Sequence, residues 1–194
     1  MSKRGNSVFA LALTLVFVAL LAACSVNVKK GNNGEDKNVD ITTPMGGIHV
    51  SDDADVRDTG LPVYPVARPM PKDRDGDRKN ANVNISGFGF GVKVVAIEYE
   101  SDDSPSKLIA FYQDRLKKYG NVLECHSSGH ANYSRTDYGH GSNELKCDGD
   151  DSGKNIELKA GNEDNQHIVA VEPDGSGSSF TLVYIRTHGK EGSI

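Results

Sequence analysis

His126, His130 and His140 fall between Cys125 and Cys147, with Tyr133, Asp137 and Tyr138 nearby. Imidazoles are common ligands for zinc, copper or nickel, so convergence of these three side chains would make a metal-binding or metal-sensing loop. His126 and His130 would share a face in a helix, but SSGHANYSRTDYGHG is rich in Gly, Ser and Asn, which favour turns. The competing reading is three exposed histidines in a flexible loop. A second cluster, Asp73-Arg74-Asp75-Gly76-Asp77, spaces alternate carboxylates as a calcium loop does. Its continuation fails: Arg78 stands where such a loop needs Gly, Asn84 stands where it needs a bidentate Glu, and Arg74 and Arg78 repel a cation. A solvated charged turn fits better. Gly87-x-Gly89-x-Gly91 lacks the spacing of a phosphate loop and precedes a strand pattern, which points to a bulge or a close backbone approach. No nucleophile elbow, zincin motif or Walker loop is present, and we assign no catalytic residue. A hydrolase is a third reading, behind a non-enzymatic interaction domain and a metal-binding one.

The third cysteine, Cys24, ends the segment Leu21-Ala22-Ala23-Cys24, which follows a basic head (Lys3, Arg4) and a run, Val8 to Leu21, that is apolar apart from Thr14. These 14 residues would make about 21 Å of helix, short of a hydrocarbon core of roughly 30 Å. This is signal-peptide anatomy, with an uncleaved anchor or ordinary secretion after Ala23 as alternatives. Leu-Ala-Ala-Cys resembles the lipobox of bacterial lipoproteins. The resemblance implies cleavage before Cys24, a covalent diacylglycerol and N-acyl chain on it, and a cell-envelope location facing the periplasm or exterior. Ser25 in the next position favours an outer membrane if the host has one.

Lipid on Cys24 leaves Cys125 and Cys147 as an even pair in an oxidising compartment, most simply a disulfide around 21 residues, with free thiols or a redox couple as alternatives. Residues 24–194 would carry 20 basic and 27 acidic side chains, a net charge of −7, which disfavours nucleic acid and anionic lipid surfaces. The partners to expect are the membrane, through the anchor, and an envelope protein. Apart from the acyl groups, no cofactor is implied.

The elements that would position these residues are mostly strands. Residues 24–38, polar and rich in Gly and Asn, read as a flexible tether after a 1–23 signal peptide. Residues 39–60 read as two short strands around a turn, then an acidic linker. A domain follows at 61–188, with a disordered tail at 189–194. Within it, Val83 to Glu100 reads as one Gly-interrupted strand, apolar on both faces from Val94 to Ile97. Ser104 as N-cap, Pro105 at the first position and the stripe Leu108, Tyr112, Leu116, Tyr119 predict a helix over 105–119 ending at Gly120. Asp102 and Asp103 suit its positive end. Further strands are expected at 122–125, 144–147, 155–159, 167–171 and 180–187, with Cys125 and Cys147 opposed on neighbouring strands. The fold class is α+β, one main helix packed on a mainly antiparallel β-sheet.

Leu61, Pro62, Tyr64 and Pro65, followed by a strand and then Asp103-Ser104-Pro105 with the pair Phe111-Tyr112, resemble a domain that recurs in bacterial envelope lipoproteins. The likeness spans roughly Leu61 to Thr187, with Val66 where those proteins carry Gly. It implies an α+β fold and no activity.

Overall fold

The computed structural model describes residues 24–30, 36–71, 80–128, 144–147 and 152–189. The expected signal peptide, the Asp73–Asp77 cluster and all but the first residue of the expected tail lie outside them. Ten described strands form one antiparallel sheet: β1 Ser25–Lys30, β2 Asp36–Thr43, β3 Gly46–Ser51, β4 Arg68–Pro69, β5 Ala81–Gly87, β6 Phe90–Ser101, β7 Leu123–Ser127, β8 Asn155–Asn162, β9 Asn165–Asp174 and β10 Gly177–His188. Their order is β1-β2-β3-β5-β6-β10-β9-β8-β7, with β4 pairing the distal end of β6. The class is α+β, with the helix a minor part.

Helix α1, Pro105–Leu116, continues as a 3-10 turn over Lys117–Tyr119, matching the expected 105–119. Proline at the first position costs no backbone hydrogen bond, and Gly120 ends the segment at φ 132°. α1 carries the chain from β6 at the sheet centre to β7 at one edge, and β8, β9 and β10 return strand by strand into the gap. Leu108, Tyr112 and Leu116 are fully buried against Val95, Ile97 and Tyr99 of β6, Leu158 of β8, Val169 and Val171 of β9, and Phe180 and Leu182 of β10. Each such side chain contributes about 1.5–3 kcal/mol on leaving water, which is what fixes the helix to this face.

The chain before β4 crosses the open end of this core. Leu61 is buried in it, and Thr59 is fully buried, its hydroxyl donating to the Val56 carbonyl (2.7 Å) and accepting from the Leu61 amide (3.2 Å). Tyr119 Oη and Lys118 Nζ donate to the Gly60 carbonyl (2.6 and 3.0 Å), and His167 Nδ1 donates to that of Thr59 (2.8 Å) while its ring stacks on Tyr119. Gly60 has φ 69°, and a Cβ there would lie 2.4 Å from Tyr119 Oη, so only glycine fits the clamp.

Four sequence expectations need correction. The described part of 24–38 is not a free tether: β1 takes residues 25–30 and β2 begins at 36, because Val26 and Val28 alternate with Ser25, Asn27 and Lys29 beneath a polar composition. The two short strands expected around a turn within 39–60 are β2 and β3, but the acidic stretch after them is not a free linker: it forms a 3-10 turn, Val56–Thr59, that leads into the clamp. The Val83–Glu100 strand is two strands joined by a two-residue turn, Phe88-Gly89. Glu144–Cys147 forms no strand, so the cysteines do not oppose each other across a ladder. Its hold on β8 includes Lys159 Nζ donating to the Lys146 carbonyl at 3.4 Å, beside Glu157.

Two outcomes test the clamp. Gly60→Ala should lower stability by about 1–3 kcal/mol through positive φ and the Tyr119 clash, read as a lower urea midpoint. Burial pushes the His167 imidazole below its ordinary value of 6.5, with Lys118 pushing the same way against the Thr59 hydrogen bond. The unfolded chain therefore binds a proton that the native chain resists, so this contribution is complete above pH 6.5 and is lost as pH falls below it. Urea midpoints on either side of that pH should fall on the acid side for the native protein, with a shallower fall in His167→Gln.

Candidate functional site

The structure joins Cys125 of β7 to Cys147 in a disulfide, Cα atoms 5.4 Å apart. Closing a loop of about this length stabilises a fold by roughly 3 kcal/mol in the chain-entropy account. His126 points from the sheet face opposite to Cys125, as neighbours in a strand must, and its Nε2 lies 3.1 Å from Glu124 Oε1. His130 and His140 lie outside the described residues, so the structure does not place the three histidines together. Among the described residues no group of three or more His, Cys, Asp or Glu is placed to hold a metal ion.

The Leu61–Pro65 lead-in and the helix start meet in a structural joint. Tyr64 Oη donates to Asp103 Oδ2 (2.8 Å), Tyr112 Oη donates to the Pro62 carbonyl (3.2 Å), and the Tyr64 and Phe111 rings meet edge-on. Lys107 Nζ and the Tyr64 hydroxyl hold the Asp103 carboxyl below its ordinary range; a bidentate Arg68 does the same for Asp102 and also reaches Glu100. Both acids sit near the positive end of α1 as expected, but their carboxylates serve ion pairs. The Ser104 side chain accepts no capping hydrogen bond from the first turn. Val66, where glycine was the pattern, sits in the Tyr64–Ala67 turn without a left-handed backbone, closed by the Ala67 amide donating to the Tyr64 carbonyl (2.9 Å).

Cys24, exposed and unbridged, immediately precedes β1. Ser25 pairs with Thr42, so Cys24 stands beside the β2–β3 turn. The Phe88 amide donates to the Met45 carbonyl (3.3 Å), which draws the β5–β6 turn alongside the β2–β3 turn. One end of the sheet therefore gathers Cys24, Val26, Met45, Phe88 and Phe90, with the last four 67 %, 61 %, 82 % and 45 % exposed. Neither TTPMGG (42–47) nor SGFGFG (86–91) contains a charged residue.

Behind this end, β1, β2, β3, β5 and the start of β6 alternate strictly. Val26, Ile41, Ile48, Ile85 and Val92 form one cross-strand row, and Val28, Val39, Val50, Val83 and Val94 the next. Asn27, Asp40, His49, Asn84 and Lys93 line the other face, on the helix side. The glycines of 87–91 serve close approach, as expected: Gly87 pairs with Phe90, and a Cβ on Gly91 would strike the His188 ring. What sequence reasoning missed is the end itself. Its signal was two exposed apolar residues in glycine-rich turns, which resembles ordinary strand pattern until the turns are placed.

Phe88 is the one described non-glycine residue with positive φ (52°), and Gly89 follows at 81°, the geometry of a hairpin turn that favours Asn-Gly. Holding a bulky residue there costs roughly 1–2 kcal/mol. Phe88→Asn should therefore raise stability by about 1 kcal/mol, read as a higher melting temperature, since the side chain packs on little.

No family model matches the chain, and neither a curated protein nor a solved structure matches it.

Proposed function

We propose that the protein is a lipid-anchored component of the bacterial cell envelope, acylated on Cys24 after removal of residues 1–23, whose domain acts by binding and not by catalysis. The observation that carries this reading is the division of the chain's three cysteines: Cys125 and Cys147 are bonded to each other, leaving Cys24 exposed and free where the lipobox-like segment ends. A structural disulfide suits an oxidising compartment outside the cytoplasm. A binding role is supported by the use of the perturbed carboxylates: Asp55 and Asp103 are engaged by the neighbouring Arg57 and Lys107, and Asp102 by Arg68 from a distant segment. The resemblance of the Leu61–Thr187 motifs to envelope lipoproteins agrees in location.

Cys24→Ser should move the protein from the membrane to the soluble fraction, and intact mass of the native protein should carry the diacylglyceryl and acyl increments that the variant lacks. Retention of Cys24→Ser in membranes, or a native mass with no lipid, would overturn the anchor.

A further inference from the structure

We propose that the uncharged β2–β3 and β5–β6 turns at this end of the sheet are a bilayer-contacting surface, which seats the domain directly on the membrane that holds Cys24. The inference rests on the lipidation of Cys24 read above. It follows from the lack of slack: β1 begins at Ser25, so the anchored sulfur belongs to the residue next to the sheet, about 4 Å along the backbone. Acyl chains on Cys24 bring the headgroup region to the β2–β3 turn beside it. From β1 to the β5–β6 turn is about 15 Å at roughly 4.8 Å per strand, which puts Met45 and Phe88 within the same small footprint on the bilayer.

The chemistry of that footprint fits lipid. Residues 42–47 and 86–91 offer Met, Phe, Pro, Thr, Ser and Gly with no ionic group to desolvate, and amphipathic elements settle about 5–10 Å into the headgroup and acyl boundary. The acidic turn between β8 and β9 is set back. Its Asp164 carbonyl accepts from the Thr187 amide (2.9 Å), and Thr187 pairs with Val92, which places Gly89 about 10 Å further out at roughly 3.3 Å per residue. With no Lys or Arg in either turn and a mature charge of −7, attraction to anionic headgroups is not the driving term, so zwitterionic lipid suffices. Phe88 supplies an independent indication. A bulky apolar side chain kept exposed on a left-handed backbone works against both solubility and stability unless something apolar receives it.

The chain contains no Trp, so a single introduced indole reports its own surroundings. The mature lipidated protein, residues 24–194, as Phe88→Trp or as Val66→Trp near the opposite end of the sheet, is reconstituted into phosphatidylcholine vesicles with brominated acyl chains. Thermal transitions close to the native protein's establish that both variants fold. Emission of Phe88→Trp should shift to the blue and be quenched, while that of Val66→Trp stays at the wavelength of exposed indole without quenching. Absence of quenching in Phe88→Trp overturns the inference, as does equal quenching in both variants. A blue shift without quenching also overturns it, because a protein surface or second copy then covers the end instead of lipid. A native protein without lipid by intact mass removes the reading of Cys24 and this inference together; a lipidated protein with unquenched Phe88→Trp removes this inference alone.

Discussion

The pairing of β6 with β10 holds the two halves of this molecule together. It runs through eleven register pairs, from Ser101 opposite Ser178 to Gly91 opposite His188. β10 comes last of the strands in sequence but lies at the sheet centre, with the β1–β5 strands on one side and the β9-β8-β7 meander on the other. Its register is strongly determined. Phe180, Leu182 and Tyr184 face α1, and a slip of one residue would replace them with Ser179, Thr181 and Val183 beneath the helix. Because α1 crosses from β6 to β7 before β8, β9 and β10 exist, the helix-backed core is completed only when the C-terminal strand inserts, a strongly non-local arrangement.

The two halves bury apolar surface in different ways. Where α1 covers the sheet, Val95, Ile97 and Tyr99 of β6, Leu158 and Ala160 of β8, Val169 and Val171 of β9, and Phe180 and Leu182 of β10 turn an apolar, buried face to the helix. α1 packs on β8 and β9 and does not extend over β1, β2, β3 and β5, and there the same side of the sheet is polar, carrying Asn27, Asp40, His49 and Asn84. Strand β6 passes through both regimes, with Lys93 and Val95 two residues apart on one face. This switch is the reason a hydropathy profile of β6 reads as a central strand while its N-terminal half belongs to an amphipathic wing.

That division governs how much could be read from sequence. The helix was legible because Pro105, Gly120 and the Leu108, Tyr112, Leu116 stripe act locally and agree with one another. The disulfide followed from counting cysteines, although its geometry did not, since Cys147 sits in a segment held by the bridge and by Lys159 and not by strand pairing. β1 was hidden because two valines among Ser, Asn and Lys carry little hydrophobicity, and its partner strand had first to be placed. The buried clamp was invisible for a related reason. Thr59, Gly60, Tyr119 and His167 are brought together only by the packing of α1 and β9, and nothing local marks His167 as the donor to a carbonyl more than a hundred residues away.

The same non-locality bears on the end that carries Cys24. A flexible tether would let the domain take any orientation, and the surface near its attachment would be under no particular constraint. A sheet that begins one residue after the proposed anchor would have few orientations available, so on that proposal its nearest turns meet the interface as a matter of geometry. Glycine at 46 is then required for packing, since a Cβ there would collide with Ser86 and Gly87, and the two turns stay side by side. Phe88 is not required for packing. Its backbone would be better served by Asn or Gly, and its side chain is mostly exposed, so the fold bears a local cost with no return within the described protein. Costs of this kind persist where a surface is used, and if Cys24 is lipidated as proposed, a bilayer is the apolar phase that its position brings to this surface.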